Sequence, residues 1–185
     1  MLNDEDYLQA VNFVLDHEGG YRFNPFDKGG ATNFGISLRF LQKAKLKCIA
    51  LPSIVDVAFI KSLSREMAIA IYREAWWDQF RYGEINNVAI AAKIFDMSVN
   101  MGPSQAHKLC QRAINSLIAN PIPDDGILGK KTLASLNYLI EIVAELPLIK
   151  AIKILCADFY MRLVKKDSTQ QSELKGWLVR ANSGL

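Results

Sequence analysis

The segment from His17 to Ser37 places reactive side chains in a chain whose other segments have helical patterns. It contains five glycines in twenty-one residues, and Glu18 and Asp27 stand within it with eight residues between them. Glycines let a backbone turn sharply, so this loop can fold back over the end of the preceding helix. Two carboxyl groups would then face one cleft, where they could carry out acid–base chemistry.

The position of Glu18 suits a general acid. Residues 7, 11, 14 and 18 share one face of a helix, and Tyr7, Val11 and Val14 make that face apolar. A carboxyl group at the edge of an apolar surface loses hydration, which favours its protonated form. A protonated carboxyl group can donate its proton to a leaving group. In the structural alternative, Glu18 hydrogen-bonds the loop amides exposed at the glycines that follow it.

Asp27 and the residues after it supply the rest of the candidate chemistry. In glycosidases one carboxyl group protonates the leaving oxygen, while a second stabilises positive charge on the sugar, activates water or attacks the anomeric carbon. Thr32 and Asn33 follow five and six positions after Asp27 and could orient a water molecule. The structural alternative for Asp27 is an Asx-turn before Gly29 and Gly30.

Aromatic and amide side chains near the loop are candidates for binding a sugar chain. Aromatic faces can stack on pyranose rings and amides can pair with N-acetyl groups, although aromatic residues in helices more often belong to the core. Asp96 and Asn100 share one face of an apolar helix, and we predict that they hold the loop in place. The predicted substrate-binding residues are Tyr21, Asn24, Asn33, Tyr72 and Trp77.

The elements that must position these side chains are predicted to be mainly α-helices. Asn3 can cap a first helix, and Gly19 and Gly20 can end it. The loop that follows is the only place with room for a small hairpin. Cap and turn residues predict further helices near residues 38–47 (capped by Ser37), 65–77, 88–100, 103–118, 130–141, 147–166 and 171–182.

Composition excludes several classes of function. The chain has 185 residues, half of them hydrophobic, which is enough for one domain with a sizeable core. Its net charge is +3, and no run of basic residues predicts nucleic-acid binding. A slightly basic surface suits an anionic polymer such as a bacterial cell wall. Two histidines and three cysteines have no ligand-like spacing, so we expect no metal site, no cofactor and no disulfide.

Short motifs occur along most of the chain in a specific order. HEGGY is followed by NPFDKGGATNFGIS, then by Ile71-Tyr72 and Trp77, and by Phe95-Asp96 with Asn100-x-Gly102-Pro103. DGILGKKTL at 125–133 and KGWLVR at 175–180 come next. In this order the motifs resemble glycoside hydrolase family 108, the bacterial and phage N-acetylmuramidases. The DGxxGxxT segment is similar to that of predicted peptidoglycan-binding modules.

The resemblance implies a fold, a reaction and a partner. It implies a lysozyme-like helical domain at 1–92, with a small loop or hairpin at the active site. A C-terminal helical peptidoglycan-binding lobe would follow at 93–185, packed as one unit with the first. The implied function is that of an endolysin-like peptidoglycan hydrolase, which cleaves the β-1,4 bond between N-acetylmuramic acid and N-acetylglucosamine by general acid catalysis. Peptidoglycan is therefore the expected partner.

The same loop is similar to the Glu-x8-Asp/Cys-x5-Thr triad of phage-type lysozymes. This similarity implies Glu18 as the acid, Asp27 as the second carboxylate and Thr32 as the third catalytic residue. Thr32 comes after four intervening residues instead of five, and Asn33 occupies the position that the strict count gives to Thr. The water-positioning role is therefore open between these two residues.

Two other functions are compatible with these residues. The first is a non-catalytic peptidoglycan-binding or secretion-associated module. The second is a lytic transglycosylase, which needs one acid and no water, and Asp27 argues against it.

The N-terminus and the hydropathy predict a location. The first six residues are acidic where a secretory signal would be basic, and no uninterrupted apolar run approaches the roughly 18 residues of a membrane span. We expect a monomer without an integral membrane segment or signal peptide, made in the bacterial cytoplasm. It would act in the periplasm or cell wall after export with a holin or by another non-Sec route.

Overall fold

The computed structural model describes residues 1–23, 30–142 and 145–185. Within these ranges the chain is mainly helical and carries one small antiparallel sheet, as the sequence predicted. The elements are α1 (Asp4–Glu18), β1 (Arg22–Phe23), β2 (Ala31–Asn33), β3 (Ile36–Ser37), α2 (Leu38–Leu41), α3 (Val57–Ser62), α4 (Arg65–Tyr72), α5 (Val88–Met101), α6 (Pro103–Asn115), α7 (Lys130–Ile142), α8 (Glu145–Lys166) and α9 (Leu174–Asn182).

Helix α1 begins and ends as its sequence predicts. The Asn3 side chain accepts hydrogen bonds from two backbone N–H groups of the first turn, and the Asp6 carboxylate accepts one from the Asn3 N–H. Gly19, with φ of 70°, ends the helix. Glu18 is therefore the last helical residue, on the same side as the buried residues Tyr7, Ala10, Val11, Val14 and Leu15.

The three strands form the hairpin that the glycine-rich segment predicted. They lie in the order β1-β2-β3, and both neighbouring pairs are antiparallel. Phe34 and Gly35 connect β2 to β3 with φ values of 52° and 77°, the pair of positive φ angles that a tight two-residue hairpin turn requires. Tyr72 Oη donates a hydrogen bond to the Phe34 carbonyl oxygen at 2.9 Å, which holds the turn against α4.

The segment between β3 and α4 differs from the prediction. Helix α2 ends at Leu41 instead of near residue 47, and the unpredicted α3 precedes α4. The Glu74 carboxylate accepts hydrogen bonds from the backbone N–H groups of Lys47 and Cys48 at 2.7–3.0 Å. These N–H groups thus find a partner distant in sequence instead of a helical carbonyl. Glu74 itself lies in a π-helical extension of α4, Arg73–Asp78.

Helix α5 lies at the centre of the core. It packs against α1, α6 and α8, and its residues from Ala89 to Ser98 are buried. Two of these buried residues are charged: Lys93 and Asp96 both have 0% exposure. A central helix that carries buried charges must bring polar partners to them, and these partners form part of the site described next.

The described ranges contain neither a membrane-spanning helix nor a cluster of metal-ligating side chains. None of the helices there is long and apolar enough to cross a membrane. The same residues contain no group of three or more His, Cys, Asp or Glu side chains placed to hold a metal ion.

Candidate active site

The Glu18 carboxyl group lies at the end of α1 against the hairpin turn. Its side chain is 16% exposed, so the group is accessible but mostly enclosed. A Cβ atom at Gly35 would lie 2.5 Å from Glu18 Oε2 and 2.7 Å from Cδ and Cγ, closer than atoms in ordinary contact. Because only glycine lacks a Cβ, Gly35 is what allows Glu18 to sit on this turn.

Arg180 of α9 contacts Glu18 from the opposite end of the chain. Its Nη2 donates a hydrogen bond to Glu18 Oε1 at 2.7 Å, although the two residues are 162 positions apart. The same guanidinium group donates from Nε to both Asp96 carboxylate oxygens, at 3.1 and 3.2 Å. Burial alone would lower the pKa of Arg180, but the carboxylates of Asp96 and Glu18 raise it above its ordinary value. Arg180 therefore stays charged.

Further polar contacts fix this cluster in the core. His17 Nδ1 and Asp96 Oδ1 are 2.9 Å apart, and Ser183 Oγ lies 3.2 Å from His17 Nε2. Lys93 Nζ donates to the Arg180 carbonyl oxygen at 2.6 Å. Burial lowers the pKa of Lys93. The end of α9 is thereby tied to α1 and α5, with Asp96 at the centre of the cluster. Asn100 Oδ1 accepts a hydrogen bond from Tyr160 Oη of α8. The role predicted for Asp96 and Asn100 in holding the loop stays a prediction, since these contacts join helices.

Two predicted site residues, Asp27 and Asn24, lie outside the described residues. Asp27 as the second carboxylate and Asn24 as a substrate-binding amide stay predictions from the sequence.

The structure distinguishes Thr32 from Asn33. Asn33 is only 5% exposed, and its Nδ2 donates to the carbonyl oxygens of Ile60 and Leu63 at 3.1 and 3.4 Å. The predicted substrate-binding and water-positioning roles of Asn33 are therefore wrong, because its amide is used to hold the end of α3 against β2. Thr32 points to the other face of the strand and is partly exposed, so it keeps its predicted role.

Two of the predicted sugar-binding aromatic residues belong to the core instead. Tyr72 is 0% exposed and Trp77 is 3% exposed, so neither presents a ring face to a sugar. Trp77 packs against Tyr7 and Phe95, with ring centroids 5.3 and 5.8 Å apart. The substrate-binding prediction is wrong for both residues because they lie on the core-facing side of α4 and its extension.

Tyr72 and Tyr21 have different relations to the site. Burial raises the pKa of Tyr72 well above its ordinary value, and the Glu18 charge adds to this rise. The neutral Tyr72 hydroxyl supports the turn that carries Gly35. Tyr21 is 39% exposed, and Lys61 Nζ lies 6.0 Å from its ring centroid. Tyr21 thus retains the exposed surface that its predicted role requires.

Sequence reasoning did not identify the roles of Arg180, His17 and Gly35. The available signal for Arg180 was a basic residue three positions after Trp177, on the apolar face of a helix. That signal does not name the partner. For Gly35 the signal was its place after Asn33 and Phe34, in a turn between two short strands.

A partly exposed glutamate at the end of the first helix, packed on a small hairpin in a mainly helical chain, is the arrangement of a lysozyme-like fold. Residues 11–102 match the family model described as Glycosyl hydrolase 108, and residues 105–182 match the model described as Predicted Peptidoglycan domain. The chain is thus a glycosyl hydrolase 108 protein with a C-terminal peptidoglycan region, which confirms the resemblance. It is a glycoside hydrolase that acts on peptidoglycan.

One solved structure is similar over nearly the whole chain. It is described as "Structure of Brucella abortus SagA", with 26% sequence identity and a TM-score of 0.71. The similarity covers 97% of this chain and 91% of that one. No curated protein matches the chain. The two family matches meet between residues 102 and 105, where α5 gives way to α6, whereas the predicted boundary between residues 92 and 93 lies within α5.

Proposed function

We propose that this protein is an N-acetylmuramidase that cleaves the β-1,4 bond between N-acetylmuramic acid and N-acetylglucosamine, with Glu18 as the general acid. The observation that carries the proposal is the position of the Glu18 carboxyl group. It is 16% exposed and held between the Gly35 turn and the Arg180 guanidinium group. A general acid has to be held within hydrogen-bonding distance of the leaving oxygen. These two contacts fix the orientation of the Glu18 carboxyl group.

The charges around Glu18 are consistent with a proton-donating role. Arg180 also contacts Asp96 Oδ1 at 2.8 Å, and this carboxylate offsets the guanidinium charge. Glu18 therefore faces a guanidinium group that is paired with a buried carboxylate, instead of an isolated cation. Because Oε1 accepts the hydrogen bond from Arg180, we assign the transferred proton to Oε2.

The second half of the proposed reaction needs a water molecule. We assign its activation to Asp27 and its orientation to the Thr32 hydroxyl, from the spacing in the sequence and the partial exposure of Thr32. A lytic transglycosylase would need neither group, since its nucleophile is a hydroxyl of the substrate itself. The presence of both residues favours hydrolysis.

Exposed groups near the start of the hairpin suit a charged glycan substrate. Tyr21 is 39% exposed and Phe23 is 55% exposed, so both offer apolar surface for a sugar ring. Lys61, next to Tyr21, offers a cation for the acidic groups of peptidoglycan. A protein with this substrate would act in the periplasm or cell wall, which we propose it reaches with a holin or by another non-Sec route.

The proposal is tested with purified sacculi from a Gram-negative bacterium. The parent should clear a suspension of them, and Glu18→Gln should fold normally yet lose more than about 100-fold in rate, because general acid catalysis typically contributes 10²–10⁴. Glu141→Gln, the same exchange at an exposed position on α7, is the matched control and should clear sacculi at the parental rate. Mass spectra of the released fragments should show reducing ends that borohydride can reduce.

Each alternative has its own outcome. A parent that pellets with sacculi but never clears them would be a binding module. Fragments lighter by one water, with 1,6-anhydro ends, would identify a lytic transglycosylase. Equal rates for the parent and Glu18→Gln would reject Glu18 as the acid.

A further inference from the structure

Glu18 and its guanidinium partner belong to different family regions. Glu18, His17 and Asp96 lie within the glycosyl hydrolase match at 11–102, whereas Arg180 lies within the peptidoglycan match at 105–182. We infer that Arg180 is a positioning residue through which the peptidoglycan region completes the catalytic site. It orients the Glu18 carboxyl group, and Asp96 sets how strongly its charge acts there. This inference rests on the proposed function of Glu18.

The geometry of the Arg180 side chain makes it suited to orient Glu18. Its Nε faces the Asp96 oxygens at 3.1 and 3.2 Å, and its Nη2 reaches Glu18 Oε1 at 2.7 Å. Because the guanidinium group is planar and rigid, the contacts to Asp96 determine the direction of the N–H bond that Glu18 accepts. The Arg180 side chain is 10% exposed and that of Asp96 is 1% exposed, so solvent weakens these contacts little.

The backbone that carries Arg180 is also fixed. Its carbonyl oxygen accepts hydrogen bonds from Lys93 Nζ at 2.6 Å and from Ser183 Oγ at 2.7 Å. One turn earlier in α9, the Trp177 ring stacks on Tyr160 of α8, with ring centroids 5.2 Å apart. The guanidinium group is thus held by an element that is itself packed on α5 and α8. The position of α9 therefore determines the orientation of Glu18.

The role of Asp96 follows from the balance of charges. Asp96 makes no contact with Glu18 among the hydrogen bonds of the described residues, yet it offsets the charge of the group that does. Replacing Asp96 with Asn would keep the shape and leave Arg180 to interact with Glu18 as an uncompensated cation. This uncompensated charge should disturb proton transfer from Glu18 to the leaving oxygen and lower the rate. Removing both charges should relieve this effect.

The test measures kcat and KM on soluble peptidoglycan fragments, with pelleting on sacculi as a separate measure of binding. Arg180→Gln should lower kcat by about 10- to 100-fold, the effect of misplacing a catalytic group by about 1 Å, while KM and pelleting stay near the parental values. Arg180→Lys keeps the charge without the planar fork and should recover part of the loss. Arg162→Gln, an exposed arginine on α8 of the same region, is the matched control and should behave as the parent.

Two further comparisons separate positioning from a merely structural role. In the Glu18→Gln background, Arg180→Gln should cause no additional loss of rate, since the group that it orients is absent. Asp96→Asn should lower kcat, and the double variant Asp96→Asn/Arg180→Gln should be faster than Asp96→Asn alone. The double variant removes Arg180 and Asp96 together, so it keeps the test open if a single variant leaves one of these two charges without the other and fails to fold.

The outcomes distinguish this inference from the proposed function. If Glu18→Gln is inactive but Arg180→Gln retains the parental kcat, the inference is wrong and the proposed function stands. If Arg180→Gln changes only KM or pelleting, Arg180 binds the wall and does not position Glu18. An additional loss in the Glu18→Gln background would equally overturn it. A parent that releases no fragments would overturn both.

Discussion

Replacing Gly35 with alanine would test whether the position of the Glu18 carboxyl group against the hairpin turn controls catalysis. The new Cβ would lie 2.5 Å from Glu18 Oε2 and 2.7 Å from its Cδ and Cγ, where ordinary contacts begin at 3.4 Å. The carboxyl group would have to move by about 1 Å, and a displacement of this size lowers rates by about 100-fold. We therefore expect Gly35→Ala to lower kcat by about 100-fold.

The substitution also strains the backbone, and this effect has to be measured separately. Gly35 has φ of +77°, and an L-residue in the left-handed region costs roughly 1–2 kcal/mol. Gly102 provides the matched control because its φ is +87° and no atom lies within 4 Å of a Cβ built there. Gly102→Ala should thus lose stability through backbone strain but keep the parental kcat.

The assay combines clearing of sacculi with thermal unfolding of the three proteins. Both alanine variants should unfold at lower temperature than the parent, and only Gly35→Ala should be slow. If Gly35→Ala folds and clears sacculi at the parental rate, the Gly35 turn does not control the position of the Glu18 carboxyl group. An equal loss in Gly102→Ala would mean that backbone strain, and not the displaced carboxyl group, lowers the rate.

Two further predictions concern the strand β2 and a buried histidine. Thr32→Val should lower the rate of clearing without changing stability. Asn33→Ala should instead lower the free energy of unfolding by about 1–3 kcal/mol, because it leaves buried carbonyl groups such as that of Ile60 without a partner. The reverse pattern in clearing and denaturation assays would contradict this assignment. Burial lowers the pKa of His107 in the folded state, so the unfolded chain binds its proton more readily, and stability should fall as the pH drops below about 6.5. In denaturant titrations, the free energy of unfolding of His107→Gln should fall less between pH 7.5 and pH 5 than that of the parent. An equal fall in the two proteins would show that His107 is not responsible.

The local features of this site could be predicted from the sequence. The capping box at Asn3, the apolar stripe of α1 and the glycines after Glu18 all act over a few residues, so they fix where the helix ends and which way Glu18 points. The alternation of a strand also explains Asn33. Ala31 and Asn33 share the buried face of β2, and Thr32 takes the other face. A strand assigned from residue 31 would have separated these two candidates.

The distant contacts could not be predicted in the same way. Nothing near Arg180 in the sequence indicates that its partners are Asp96 and Glu18, 84 and 162 positions away. Trp77 illustrates a second difficulty, since an aromatic residue in an amphipathic segment suits a cleft and a core equally well until the packing of α4 on α5 is known. Its burial at 3% depends on that packing and not on its own neighbours.

The buried charges also bear on why the two family regions are packed together. Pairs such as Arg180 and Asp96 contribute little net stability, because their desolvation offsets most of their attraction, and apolar residues of similar volume are often at least as stable. Stability of the interface between α9 and α5 is therefore a poor explanation for placing an arginine there. Contact with Glu18 is a better one, since a rigid cation that a carboxylate holds from behind can orient an acid. The peptidoglycan region then has two tasks, contact with the wall and completion of the site that cleaves it.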